Sequence, residues 1–133
     1  MGTQISPMLA VSDAAAAIDF YKRAFGGEEL WRIGERAEVA GLSVHGAQLF
    51  LARESPPRTR APDLAGHTTV RIELFVDDPQ GVQEKAIAAG ARQGNAVAEH
   101  THETHGPRTR LRMLQGGAID PFGHLWLIGK FLD

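Results

Sequence analysis

Three histidines and a carboxylate stand close together in the order His100, His102, Glu103 and His105. Imidazole and carboxylate groups at this density could bind zinc or another divalent ion. The spacing differs from His-Glu-x-x-His, which places two ligands on one helix face. Because the cluster is polar and precedes Gly106-Pro107, it is predicted to be a loop that binds metal adventitiously or not at all. A functional metal site is the alternative.

Arginines alternate with other residues just after this cluster, at Arg108, Arg110 and Arg112. Alternate residues of a strand share one face, so the three guanidinium groups could form a cationic wall. Such a wall suits a carboxylate or a phosphate, which the forked guanidinium binds well. A solvated charged face is the other interpretation of the same pattern.

Composition excludes several kinds of chemistry. The 133 residues include no cysteine, so disulfides, thiolate metal sites and a cysteine nucleophile are excluded. A net charge of -2 with scattered basic residues offers no electrostatic basis for binding nucleic acid. No apolar run approaches the roughly 20 residues that span a bilayer, and the first residues lack a signal-peptide pattern. We therefore expect one cytoplasmic domain with no nucleic-acid or membrane partner.

The chain reads as two similar units joined by a proline-rich connector at residues 54–66. In the first unit, residues 1–53, a strand at 4–11 precedes an amphipathic helix at 14–25 that Gly26 ends. Further strands are predicted at 28–33, 38–44 and 47–53.

The second unit, residues 67–133, repeats this order. A strand at 68–76 leads into a helix that begins after Asp77-Asp78 and ends at Ala89. Weaker strands follow at 92–97, 108–114 and 124–128. Each unit is thus β-α-β-β-β, and the fold class is α+β. A duplicated unit of this kind buries one face of its sheet against its own helix, which leaves the opposite faces to form a shared cup.

A turn motif precedes the last strand. Asp120-Pro121-Phe122-Gly123 carries Asp, Pro and Gly at the first, second and fourth positions, as a type I turn prefers. The turn sets the register of the strand that closes the fold. His124, directly after it, is predicted to be a capping or interface residue.

Two segments together resemble a known family: residues 5–26, which contain ISPMLAVSD and AIDFYKRAFG, and residues 120–126, DPFGHLW. They are similar to the opening and closing motifs of the glyoxalase/bleomycin-resistance/dioxygenase superfamily (vicinal oxygen chelate fold), and most of all to its PhnB-like branch. Gly106-Pro107-Arg108 resembles the Gly-x-Arg step of that group. The resemblance implies two βαβββ modules whose mixed sheet curls into a central cup, commonly in a homodimer.

In the metal enzymes of this family, one residue from each of four strands holds a divalent ion. The matching positions here are Ser6, Phe50, Arg71 and Leu127. Phe and Leu cannot coordinate a metal, Arg is a permanent cation, and an isolated Ser is a weak ligand. The resemblance therefore implies this fold without its usual metal, and no cofactor is predicted.

The same register assigns residues to the two faces of each sheet. The predicted ligand-binding residues are Ser6, Met8, Gln48, Phe50, Arg71, Glu73, Arg108, Leu125 and Leu127, and Phe75 also faces the cup. The alternating residues should face the helices: Leu9, Val11, Leu49, Leu51, Val70, Ile72, Leu74, Val76, Trp126 and Ile128. Arg71 and Glu73 either pair with each other or contact the ligand directly. Trp31 is predicted to belong to the core or an interface, with stacking on a planar ligand as the alternative.

Three functions remain open. The leading hypothesis is a metal-independent protein that holds a small organic ligand in the cup without turnover, as bleomycin-resistance proteins sequester drugs. The alternative is a metal-dependent glyoxalase-like lyase, isomerase or dioxygenase. Its ligands would come from His100, His102 and His105 or from Glu38 and Glu73. A third hypothesis is an interaction module without a small-molecule ligand.

Overall fold

The chain forms two sheets and three helices in a computed structural model, which describes residues 2–36 and 38–133. The first half contains β1 (Met8–Val11), α1 (Ala14–Phe25), β2 (Glu28–Ile33), β3 (Val39–Val44) and β4 (Ala47–Arg53). The second half contains α2 (Pro62–Ala65), β5 (Arg71–Phe75), α3 (Pro79–Ala89), β6 (Arg92–Gln93), β7 (Ala98–Glu103), β8 (Arg110–Ile119) and β9 (Leu125–Phe131). Sheet 1 has the strand order β1-β4-β3-β2, and sheet 2 has the order β5-β9-β8-β6 with β7 also paired to β8. The α+β fold class is confirmed. None of the helices within the described ranges is long and apolar enough to cross a bilayer.

Several predicted boundaries shift for identifiable reasons. The helix at 14–25 and the strands at 28–33 and 47–53 are observed as predicted. The first strand begins only at Met8, so Ser6 lies outside it. Pro7 cannot donate a backbone hydrogen bond, although its carbonyl still accepts one from Phe50 N at 2.9 Å. The fifth strand likewise begins at Arg71, which leaves Val70 58% exposed instead of facing a helix.

The histidine-rich segment is a strand, which corrects the prediction of a loop. Residues Ala98–Glu103 form β7, antiparallel to β8. The strand predicted at 92–97 shrinks to the two residues of β6, and β8 begins at Arg110 and extends to Ile119. β7 lies at a sheet edge and is largely exposed, so it carries no apolar alternation by which the sequence could have revealed it.

α1 connects the cores of the two sheets. Asp13 caps its first turn by accepting a hydrogen bond from Ala16 N, and Gly26 ends it with a φ of 67° that favours glycine. The helix buries one face against sheet 1, while the ring of Phe25 lies 4.4 Å from that of Trp126 in sheet 2. Both sheets therefore turn one face toward the same core, called here the inner face.

The inner faces contain the residues predicted for them, apart from Val70. The buried members are Leu9, Val11, Leu49, Leu51, Trp126 and Ile128, and the partly buried members are Ile72, Leu74 and Val76. Each fully buried large apolar side chain contributes about 1.5–3 kcal/mol to the free energy of unfolding.

The Asp120 turn is a buried hydrogen-bond centre. Its carboxylate accepts bonds from Tyr21 Oη at 2.6 Å and Trp126 Nε1 at 2.9 Å. It also accepts from the backbone nitrogens of Phe122 and His124 at 2.9 and 3.0 Å. The backbone closes the predicted turn through a 3.0 Å bond from Gly123 N to the Asp120 carbonyl. Four donors offset the cost of burying this carboxylate, and the Tyr21 bond ties the turn to α1.

His124 and Gly123 join this turn to other parts of the chain. His124 is buried, and its Nε2 donates to the Ala10 carbonyl in β1 at 2.7 Å. Gly123 has a φ of 86° and lies against α2, where an added Cβ would come within 2.6 Å of Asp63 N. Only glycine satisfies both conditions at this position.

The Tyr21–Asp120 bond predicts a loss of stability in alkali. Burial, together with the charge and hydrogen bond of Asp120, raises the pKa of Tyr21 well above its usual value of about 10. The unfolded chain then releases the phenolic proton at a lower pH than the folded chain, so the free energy of unfolding should fall as the pH rises above about 10.

This fall can be measured by urea unfolding between pH 8 and 11. Tyr21 is the single tyrosine of the sequence, so its ionisation can be followed by ultraviolet absorbance in the same samples. Tyr21→Phe should be less stable at neutral pH by about 1.5–3 kcal/mol, since it loses a bond to a charged acceptor, yet should decline less in alkali. If the free energies of unfolding of the native protein and Tyr21→Phe fall equally between pH 8 and 11, the loss of stability does not come from Tyr21.

Candidate functional site: the open faces of the two sheets

The outer side of sheet 1, called here its open face, carries a row of apolar residues. Backbone register places Met8 beside Phe50, Phe50 beside Gly41, and Gly41 beside Trp31. The rings of Trp31 and Phe50 lie 5.2 Å apart at an interplanar angle of 61°. Met8 is 53% exposed and Trp31 is 39% exposed. The row is therefore a continuous surface of aromatic and thioether groups open to solvent.

Gly41 allows this surface to form. A Cβ at this position would lie 2.4 Å from Trp31 Cε2, well inside van der Waals contact. The indole thus lies across the neighbouring strand and reaches Phe50, which a larger residue at position 41 would prevent. Trp31 lies outside the core, because its ring covers the open face, and its exposed side is available to an interface or to a planar ligand.

The open face of sheet 2 holds a second aromatic pair. The rings of Phe75 and Phe131 stack at 4.5 Å with an interplanar angle of 17°. The guanidinium carbon of Arg108 lies 5.6 Å from the centre of the Phe131 ring, within the range of a cation–π contact. Leu125 and Leu127 lie on the same face, half-buried. Phe131 lies three residues beyond the predicted end of this strand at residue 128, on the same alternation as Leu125 and Leu127.

Glu73 bonds a residue that the sequence did not indicate. Its Oε1 accepts a 3.1 Å hydrogen bond from Gln115 Nε2, so the mutual Arg71–Glu73 pair, one of the two predicted alternatives, is not formed. Gln115 in β8 reaches Glu73 in β5 across β9, beside Gly129. Arg71 is exposed opposite Leu125 and can orient a charged group at this face.

The polar residues predicted for sheet 1 lie at its rim. Ser6 precedes β1 and accepts a 2.9 Å hydrogen bond from Gln4 Nε2. Gln48 is exposed near the start of β4 and bonds the same Gln4 side chain. A cleft of about 650 Å³ runs beside Met8, between β1 and residues 67–70.

The alternating arginines divide between two surroundings. Arg110 and Arg112 lie in β8 on the face opposite to Met113, where Arg110 pairs with Asp133 at 3.3 Å and Arg112 with Glu99 at 2.9 Å. This arrangement is the solvated charged face. Arg108 precedes the strand and also pairs with Asp133, at 3.8 Å, but its guanidinium lies over the ring of Phe131, so it is the arginine of this group that the open face can use.

The donor set does not fit the family's metal site. Ser6, Phe50, Arg71 and Leu127 offer a single hydroxyl among them, and Phe50 and Leu127 lie on the open faces as predicted. Throughout residues 2–36 and 38–133, no three His, Asp or Glu side chains lie close enough together to hold a metal ion. His100 and His102 lie in β7, whereas His105 lies beyond its end, so the three histidines do not form one cluster.

Comparison with known proteins agrees with the fold. The family model described as Glyoxalase/Bleomycin resistance protein/Dioxygenase superfamily matches residues 4–128. An uncharacterized protein of Mycobacterium bovis is 35% identical over an alignment 133 residues long, gaps included. The alignment covers 95% of this chain and 82% of the relative.

Two solved structures illustrate the range of the fold. TioX from Micromonospora sp. ML1 has a TM-score of 0.71 and 27% identity, covering 98% of this chain and 100% of that one. The fosfomycin resistance protein FosX of Listeria monocytogenes, solved with Mn(II), has a TM-score of 0.61 and 16% identity, covering 96% and 89%. At that identity FosX shows a shared fold alone. By its sequence match and its fold, this chain belongs to the glyoxalase/bleomycin resistance protein/dioxygenase superfamily.

Proposed function

We propose that this protein is a cytoplasmic homodimer that binds a small organic ligand with a planar apolar part, without a metal and without turnover. The observation that carries the proposal is the pair of exposed aromatic surfaces, Trp31–Phe50 on sheet 1 and Phe75–Phe131 on sheet 2. Aromatic side chains left open to solvent on a sheet face are typical of a ligand or partner site.

The second copy completes the cup. Within one chain, α1 contacts the inner faces of both sheets, so each open face lies on the side of its sheet away from α1. An enclosed cup therefore needs the open face of sheet 1 from one copy and that of sheet 2 from the other. Met8, Phe75 and Phe131, each more than 40% exposed, would be covered by this association.

The polar groups near the aromatic surfaces indicate which ligands suit the site. Arg108 at Phe131 and the exposed Arg71 could each orient a carboxylate, sulfonate or phosphate at the edge of a planar ligand. Apolar contact would provide most of the affinity and one arginine would provide orientation. Sequestration of a drug, as in the resistance proteins of this superfamily, is one such use, and the motif pairing supports placement in the PhnB-like branch.

A planar aromatic sulfonate, 8-anilinonaphthalene-1-sulfonate, should bind the native dimer and gain fluorescence. Trp31→Ala should weaken this binding by about tenfold or more, because stacking on an aromatic side chain and its area are both lost. Trp126 lies in the core, 2% exposed, so Trp31 is the indole that the probe can contact directly.

Two further measurements distinguish the proposed metal-independent homodimer from a metal-dependent enzyme. Light scattering should show a dimer, and elemental analysis of protein purified without added metal or chelator should show no stoichiometric transition metal. A near-stoichiometric metal would support the metal-dependent lyase, isomerase or dioxygenase instead. Unchanged probe affinity in folded Trp31→Ala would overturn the site.

A further inference from the structure

β7 presents two imidazoles on one side of sheet 2. His100 and His102 are alternate residues of this strand, and their rings are parallel within 9° with centres 6.4 Å apart. Alternate side chains of a strand point to the same face. β7 pairs with β8 along one edge, so this pair lies at the outer edge of the sheet, and His102 is exposed.

A thioether lies directly across from the first imidazole. Met113 in β8 is the backbone partner of His100, and it is 8% exposed. Side chains in directly opposed positions of an antiparallel pair have Cβ atoms about 4.5–5.5 Å apart. The Met113 sulfur, on a flexible chain of three rotatable bonds, can therefore reach an ion held by His100 and His102.

The carboxylates of β7 are on the other side of this strand pair. Glu99 and Glu103 alternate with the histidines, so they face away from them, and Glu99 is paired with Arg112 at 2.9 Å. The face that carries the histidines thus offers two nitrogen donors and one soft sulfur donor around His100, and the Gln115 amide, two residues further along β8, is bound to Glu73. Thioether and imidazole ligands suit copper(I), whereas magnesium, calcium and manganese prefer carboxylates and water.

We propose that His100, His102 and Met113 form a copper(I) site at the outer edge of sheet 2. The site is separate from the four family positions at Ser6, Phe50, Arg71 and Leu127, and it goes beyond the organic-ligand function. Met113 is also the backbone partner of Phe131 across β8 and β9. The ion would therefore lie one strand away from the aromatic pair of the proposed cup.

The test is a competition titration of the metal-free dimer with copper(I) under anaerobic, reducing conditions, with bathocuproine disulfonate as the competing chelator. One copper per chain is expected. His100→Asn, His102→Asn and Met113→Leu should each weaken copper(I) binding by about tenfold or more, as removal of even an outer-sphere partner does at many metal sites. Met113→Leu approximately preserves the volume of this buried side chain, so the variant should still fold. His105→Asn, beyond the end of β7, is the matched control and should bind as the native chain does.

X-ray absorption at the copper edge gives a second readout that requires no variant. A sulfur scatterer beside imidazole nitrogens supports the site, and a shell of nitrogen and oxygen alone overturns it. Equal weakening in His105→Asn, or native affinity in Met113→Leu, also overturns it. The two proposals are tested independently: failure to bind 8-anilinonaphthalene-1-sulfonate would contradict the organic-ligand site and would leave the copper(I) result unchanged.

Discussion

Replacement of Asp120 by Ala should lower the free energy of unfolding by about 3–5 kcal/mol, among the largest effects of any single substitution in this chain. The carboxylate accepts from Tyr21 Oη, Trp126 Nε1 and two backbone nitrogens of its own turn. Each buried donor left without an acceptor costs about 1–3 kcal/mol, and the losses within one network are not additive. Chemical denaturation monitored by circular dichroism measures the change.

Asp77→Ala is the matched control. Asp77 is exposed and precedes the capping residue Asp78, so its loss should change the free energy of unfolding by less than about 0.5 kcal/mol. Asp120→Asn separates charge from hydrogen bonding, because the amide oxygen can still accept from some of the four donors. If Asp120→Ala loses no more free energy of unfolding than Asp77→Ala does, the turn does not depend on the Asp120 carboxylate.

Phe50→Glu should weaken probe binding at the proposed cup by about thirtyfold or more while the chain stays folded. Phe50 lies between Met8 and Gly41 in the row on sheet 1, where its ring contacts Trp31 at 5.2 Å. A carboxylate there removes the central aromatic contact and opposes an apolar, anionic probe. Loss of a central aromatic contact costs about 2 kcal/mol or more, which lowers affinity by about thirtyfold. Titration with 8-anilinonaphthalene-1-sulfonate measures it.

Gln48→Glu provides the control for charge alone. Gln48 lies two residues earlier on the same face of β4, exposed at the rim. The added charge in Gln48→Glu should therefore weaken binding of the probe far less than Phe50→Glu does. Phe50→Glu should cost about 1–3 kcal/mol of stability, since the position is half-buried, and thermal unfolding checks that it folds. Equal affinities for the two variants would mean that the open face of sheet 1 is not the binding surface.

Gly41 controls which side chains meet on the open face of sheet 1. It lets Trp31 reach Phe50, because a Cβ at position 41 would lie 2.4 Å from Trp31 Cε2. The absence of a side chain in β3 thus couples β2 and β4, which share no backbone pairing. This position controls the shape of the proposed site although it would not touch the ligand.

Local pattern was sufficient for much of this fold. Apolar residues at helical spacing defined α1 to the residue, and turn chemistry placed Asp120 at the first position of its turn. Strand alternation assigned Phe50 and Leu127 to the open faces, because a period of two reports the side on which each residue lies. Motifs at both ends of the chain were enough to indicate the superfamily.

Tertiary structure decided what those residues contact. β7 is a polar edge strand, so hydrogen bonding to β8 created it where no burial pattern could predict it, and the same pairing brought Met113 opposite His100. The partners of Asp120 are up to 99 residues away in sequence, and the Trp31–Phe50 contact depends on pairing through β3. Periodicity records the face of a residue, whereas register between distant strands determines its neighbours. For this reason Phe50 and Leu127 could be assigned to a face from the sequence, whereas the residues of both candidate sites were brought together only by the fold.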